Sequence, residues 1–270
     1  MTNKATANTY KISILVSRDG FSFCGQNKKE ELVLLEQKFF TEEKTSQNLL
    51  KSLQSFLEHT APFSVDEVEE VRIIYTNQLF SVVPQKLFDE KNLTDYLKFN
   101  IKLLQTDFIA YDALSKTAAN IVFVPYANIN NYLFDTFGEF TYSHSIGILI
   151  ESSLTTKPTK KTVFINFYKS FFEVCCIQEE KLLFCNSFAI ETPEDFMYYL
   201  LFCFEQFELS QEETPVILSG SIEKDSENYK ILSTYIRNID FAETPEFKKA
   251  ENAQLTARAD YTNYLLLNSL

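Results

Sequence analysis

One pattern occurs twice along this chain: strand, tight turn, strand, turn, strand, helix, strand. It runs over residues 10–77 and again over residues 162–222. No other feature restricts the fold so strongly. The segment Lys11–Ser17 is answered by Thr162–Tyr168, Phe21–Cys24 by Phe171–Cys175, and Val71–Thr76 by Pro215–Gly220. A repeated unit predicts two lobes built on one topology, with any functional cleft between the copies.

In the first copy Ile12, Ile14 and Val16 share one face of a strand. Arg18-Asp19-Gly20 supplies a turn in which glycine can take positive φ at little cost. Phe21 and Phe23 alternate with Ser22 and Cys24 on the return, and residues 32–40 read as a third strand. Thr45 or Ser46 can cap a helix whose apolar stripe is Leu49, Leu50, Leu53, Phe56 and Leu57. Residues 71–75 form the fourth strand. Residues 79–154 elaborate this copy. They contain helices over 93–99, 128–137 and 144–154, strands over 108–114 and 121–124, and a stop at Gly138. The polar stretch Ser152–Lys161, with Pro158, is the linker candidate.

The second copy reads as strands over 163–167, 171–177 and 182–190, then Thr192-Pro193-Glu194-Asp195, a helix start with a hydroxyl cap, an early proline and a carboxylate. The helix over 196–207 is apolar almost all round, which predicts burial on more than one side, between the copies. A strand over 216–218, a helix over 227–236 and a strand over 240–242 follow. The tail 260–270 reads as a short helix packing back on the body.

The net charge of −12 argues against a nucleic-acid partner, whose phosphates need clustered cations. The short cluster Lys157, Lys160 and Lys161 reads as part of the solvated linker. The first nine residues hold no apolar signal core, and the longest apolar run, 196–204, falls far short of the ~20 residues that span a bilayer. Five cysteines without a CxxC pair fit reduced, buried thiols in a cytosolic protein. Only five glycines leave little material for glycine-lined phosphate loops.

Three strands, helix, strand, helix, strand, occurring twice, is the order of the ribonuclease-H-like unit duplicated in the actin-like ATPase superfamily. The chain resembles a divergent bacterial member, similar in plan to PilM and FtsA. It also resembles a bacterial family of unknown function that shares the stretches Tyr75–Phe80, Phe88–Leu93 and Ala189–Phe196. The resemblance implies an α/β, two-lobed fold with mixed sheets flanked by helices. Residues 1–158 would form the first lobe, carrying the inserted elements 79–154. Residues 159–270 would form the second, with a C-terminal helix packing back on the first.

The resemblance also implies where a nucleotide would lie. In the superfamily the first strand of each copy ends in an acid, with glycine two positions later. Here the first copy ends at Ser17, followed by Arg18, Asp19 and Gly20. That is either a shifted, partial phosphate loop or a plain Asp-Gly hairpin turn. The second copy has Asn166 and Tyr168 at the equivalent positions, and the adenosine-contacting turn reads Leu218-Ser219-Gly220-Ser221-Ile222. Arg18 and Lys169 are the cations near these turns. The expected site is therefore a vestigial interlobe cleft of Ser17, Arg18, Asp19, Gly20, Asn166, Tyr168, Lys169, Ser219 and Gly220. The expected function is that of a non-catalytic, cytosolic pseudo-ATPase that binds another protein, with no cofactor. The alternative is a functional protein that binds ATP and magnesium and closes its lobes on nucleotide.

Other chemistry finds little support. A two-metal nuclease needs converging carboxylates, and the first strand offers only Asp19. His59 and His144 are the only histidines, too few for a zinc site, and read as surface or capping residues. No GxSxG signature marks a serine nucleophile. The acidic pairs Asp89-Glu90, Glu179-Glu180, Glu194-Asp195 and Glu212-Glu213 fit turns and helix starts. The segment Tyr126–Tyr132 mixes tyrosine and asparagine, as a contact surface or as a helix start satisfying its own backbone.

Overall fold

A computed structural model describes residues 9–40, 45–59, 63–99, 101–105 and 107–270. Residues 1–8, where the sequence shows no signal core, lie outside the described residues. The chain opens with an antiparallel meander of β1 (Tyr10–Ser17), β2 (Gly20–Asn27) and β3 (Leu32–Phe39). Then come α1 (Ser46–His59) and β4 (Val68–Tyr75), which pairs parallel to β1. A small inserted sheet follows, made of β5 (Phe80–Pro84), β6 (Ala110–Ala113) and β7 (Ala119–Phe123), with α2 (Leu93–Leu97) against it. Next are α3 (Ala127–Phe137), β8 (Thr141–His144) and α4 (Ser145–Thr155).

The second half repeats the plan. Its elements are β9 (Thr162–Phe167), β10 (Phe171–Gln178), β11 (Lys181–Ala189), α5 (Pro193–Gln206), β12 (Val216–Gly220), α6 (Glu227–Tyr235) and β13 (Ile239–Phe241). The sheet order β11-β10-β9-β12-β13 matches β3-β2-β1-β4-β8 strand for strand. The repeat is therefore one of pairing as well as of pattern. The chain then returns to the first half. β14 (Lys249–Leu255) pairs parallel with β3, and α7 (Tyr264–Leu267) is buried against β1, β2, β12 and α4.

Two cores result. One joins the first sheet, α1, α3, α4 and α7 to the inner face of the second sheet through Phe164, Cys175 and Ile177. The other lies on the outer face of the second sheet, under α5 and α6.

Three expectations change. A helix read from His144 begins at Ser145 instead, because His144 ends β8 and caps α4. β14 is not visible as a strand in the sequence, since Lys-Ala-Glu-Asn-Ala-Gln-Leu lacks the alternating apolar pattern and gains its pairing only at an edge. Most importantly, α5 is not the helix between the lobes. Its residues Phe196, Met197, Leu200, Cys203 and Phe204 face one sheet, while Tyr198 is 68% and Phe202 48% exposed. The interlobe helix is α4, which buries nine of its eleven residues against β8, β9, β10, β11 and α7. Gly147 lets α4 also lie close to the β6–β7 hairpin: a Cβ there would lie 3.1 Å from Leu114.

Candidate functional site

The two hairpin turns expected to flank a nucleotide face each other directly. In the first, the Ser17 hydroxyl oxygen accepts the amides of Asp19 and Gly20, each at 3.1 Å. This local turn aims the Asp19 carboxylate, 4% exposed, across the cleft. Gly20 does not take positive φ, contrary to the turn reading. Glycine is required there because a Cβ would lie 2.2 Å from the Lys38 carbonyl oxygen on β3.

In the second hairpin, Ser170 meets that carboxylate. Its hydroxyl donates to Asp19 at 3.2 Å and its amide at 3.3 Å. Beside it the Lys169 ammonium reaches the Phe40 carbonyl at 3.4 Å. Tyr168 stacks on Phe171 at 4.3 Å between ring centroids and packs against the first-lobe core. Its hydroxyl donates to Glu173 at 3.0 Å. Glu173 is fully buried on β10, and its other oxygen accepts the Ser145 hydroxyl at 2.5 Å. Burial pushes the Glu173 carboxyl up to about 7, against the lowering effect of the Ser145 and Tyr168 hydroxyls. The same burial raises Tyr168.

The third turn closes the site from behind. Asn166, 3% exposed, accepts the Ser219 hydroxyl at 2.9 Å, so the position of the family's second acid is tied to β12. Gly220 has φ +81°, and a Cβ there would lie 2.2 Å from the Phe167 carbonyl oxygen. Both glycines are explained by chain packing.

Ser17, Asp19, Gly20, Asn166, Tyr168, Lys169 and Gly220 surround one cavity, closed on its far side by Asn263 and Leu266. Its volume is about 40 Å³. That holds one or two waters, whereas ligand pockets run to roughly 300–1,000 Å³. Arg18 and Ser219 sit outside its centre: Arg18 lies on an adjoining groove of about 230 Å³ with Asn77, Tyr126 and Phe171, which Asp19 and Ser170 also line, and Ser219 lies behind Asn166.

His144 is completely buried, with Nδ1 accepting the Ile146 amide at 3.2 Å and Nε2 at 3.1 Å from the Asn77 carbonyl. It caps α4 and is not a ligand; His59 is the surface residue. Two of the three asparagines of the Tyr126–Tyr132 segment serve the fold. Asn130 accepts the Tyr75 hydroxyl, and Asn128 donates to the Ser46 carbonyl at 2.7 Å. Among the described residues no group of three or more His, Cys, Asp or Glu side chains could hold a metal ion.

The sequence reading does not single out Ser145, Ser170 or Glu173. One signal was present for Glu173, the lone charge in the apolar run Phe171–Ile177. Nothing local marks the two serines.

The family model described as "Protein of unknown function (DUF3822)" matches residues 1–239. The structure is similar to a Bacteroides thetaiotaomicron VPI-5482 protein with actin-like ATPase fold and unknown function. The two share 23% identity over 90% of this chain and 94% of that one, with a TM-score of 0.74. It is similar also to a chain of the PilM-PilN type IV pilus biogenesis complex, at 8% identity, 96% of each chain and a TM-score of 0.58. A third likeness is to the ethanolamine utilization protein EutJ from Carboxydothermus hydrogenoformans, at 8% identity, 96% and 88% coverage and a TM-score of 0.50. None of the curated proteins matches. At these identities the likeness shows the fold, and that fold is the actin-like one which the repeated strand order implies.

Proposed function

The chain belongs to the DUF3822 family, proteins of unknown function, and from that premise we propose that it is a pseudo-ATPase. On this reading it is a non-catalytic, cytosolic, actin-like module whose work is to bind another protein. The observation that carries the reading is the Asp19–Ser170 contact. A magnesium ion over a triphosphate needs a carboxylate free to hold its water shell, and backbone donors open to the phosphates. Here the carboxylate is taken by the opposite hairpin, Tyr168 fills the second turn, and the cavity between the turns has room for one or two waters. These residues fit magnesium-triphosphate poorly.

Further support comes from the chain's likeness to a component of the PilM-PilN complex, a protein that is found with a partner. The five free thiols suit a reducing compartment. Among the described residues no helix is long and apolar enough to cross a membrane. We take residues 1–158 and 159–270 as the two lobes, with the tail of the second returning to the first through β14 and α7, and held shut by the polar contacts above.

Isothermal titration with Mg-ATP tests the proposal. No heat, and no shift of melting temperature at millimolar ATP, is the expected result. A dissociation constant tighter than about 10 μM, roughly −7 kcal/mol, would overturn it in favour of nucleotide-gated lobe closure. In that case the Asp19–Ser170 contact would be the closed gate.

A further inference from the structure

The groove that holds Arg18, about 230 Å³ in volume, lies outside the carboxyl ends of the parallel strands β1 and β4. Ser170 and Phe171 of the second hairpin close its other side. Open α/β sheets bind small molecules at such strand ends. The groove carries both signs of charge. Arg18 follows β1 and is exposed, and the Asp19 carboxylate lies next to it. A guanidinium has five N–H donors, so contacts within the fold leave others for a ligand. Ser170 takes only part of the Asp19 carboxylate, which offers about four lone-pair positions. A buried hydroxyl also stands there. Thr76, the residue after β4, lines the groove and is 1% exposed. Its hydroxyl lies near that of Tyr168 but makes no hydrogen bond of ordinary geometry with any described group. Such a group is costly unless a ligand or water completes it. Leu79, Tyr126 and Phe171 add apolar surface beside these polar groups.

We propose that this groove binds a free amino acid with an apolar side chain. The ligand carboxylate pairs with Arg18 and accepts the Thr76 hydroxyl, its ammonium donates to Asp19, and its side chain lies against Leu79, Tyr126 and Phe171. A cation and an anion on neighbouring residues match the two ends of a zwitterion. A ligand with one charge would cover the other protein group and leave it unpaired. The same argument disfavours the end of a peptide chain, whose terminal residue carries an ammonium or a carboxylate but not both. A nucleotide is disfavoured by size, since pockets for larger ligands run to roughly 300–1,000 Å³, and by the Asp19 charge, which repels its phosphates. Arg18, Asp19 and Thr76 belong to the first half of the duplication and Phe171 to the second, so the bound ligand ties the halves together. The site does not rest on the pseudo-ATPase reading, because it uses neither a phosphate nor a magnesium position.

Isothermal titration of the full chain with L-leucine, L-methionine and L-phenylalanine tests the proposal. At least one is expected to bind with a dissociation constant below about 1 mM and to raise the melting temperature. The N-acetyl form and the methyl ester of that amino acid each lack one charge, and each is expected to bind about tenfold more weakly or worse. These arms need no variant, so they stand even where a substitution disturbs the fold. Arg18→Gln is expected to raise the dissociation constant about tenfold or more, and Thr76→Val, which keeps the shape and removes the hydroxyl, to raise it as well. Circular dichroism melts without ligand check that both variants are folded. Failure of all three amino acids to bind below about 1 mM, a blocked form that binds as tightly as the free one, or a folded Arg18→Gln protein with unchanged affinity would each overturn the proposal. Titration of the same sample with Mg-ATP bears on the pseudo-ATPase reading alone.

Discussion

Glu173→Gln is the substitution that most directly tests the closed cleft. Glu173 is a carboxyl with no exposure, two hydroxyl partners and a proton affinity raised from the ordinary 4.5 to about 7. The folded state therefore holds a proton that the unfolded chain releases across that window. The sign follows from linkage. The stability this site contributes is fully present below about pH 4.5, falls by about 1.4 kcal/mol per pH unit as pH rises, and is lost once pH passes about 7. The total loss is on the order of 3 kcal/mol, a large share of the stability of an ordinary domain.

Glutamine keeps the shape, still accepts from Ser145, and can donate to the Tyr168 oxygen, but it cannot ionise. Urea melts of wild type and Glu173→Gln at about pH 5 and about pH 8 give the comparison. The two proteins should agree to within about 1 kcal/mol at the lower pH, and the variant should be more stable by up to about 3 kcal/mol at the higher. Asp112, raised to about 6 chiefly by burial, and His144 also make the wild type pH-dependent, and their effects cancel in the difference. Identical pH profiles for the two proteins would refute the reasoning. They would mean that the Glu173 carboxyl is hydrated or paired in solution, and that the lobes are not sealed on it.

Burial lowers His144 to about 3, so its contribution to stability is full above its ordinary 6.5 and is lost as pH falls toward 3. Nitrogen NMR at about pH 5 should show a neutral ring with the proton on Nε2, because Nδ1 accepts the Ile146 amide. Gly220→Ala should destabilise by more than about 1 kcal/mol in denaturant melts, since it combines positive φ with a Cβ 2.2 Å from a backbone oxygen. Leu200→Ala should cost about 2–5 kcal/mol, because the side chain is fully buried on the inner face of α5. Phe202→Ala, on the exposed side of the same helix, should change monomer stability by no more than about 0.5 kcal/mol.

The strand meanders, the helix caps and the duplication were legible because each is written in short-range chemistry. The alternation of Ile12, Ile14 and Val16 places one face of β1 in the core. Thr192 and Asp195 form the reciprocal cap that their spacing announces. Gly138 ends α3 at φ +78°. Where the reading failed, the deciding atoms came from elsewhere in the chain. α4 and α5 are both apolar. A helix's own composition says how much surface it must hide, but not which neighbours arrive to hide it. β14 offers almost no apolar alternation, and it becomes a strand because β3 presents an open edge beside it.

The site divides in the same way. The sequence by itself determined that Asp19 and Gly20 stand out of register in the first turn, and that Asn166 and Tyr168 occupy the corresponding places of the second. Side-chain identity alone fixes what a position can offer a ligand. Only the tertiary structure decided where those side chains point. Asp19 and Ser170 are separated by 151 positions, and Ser145 and Glu173 belong to different halves of the duplication. Their contacts exist because two copies of one sheet pack about α4 with their hairpins face to face. Packing of that kind is set by the whole core, so no window of sequence contains it.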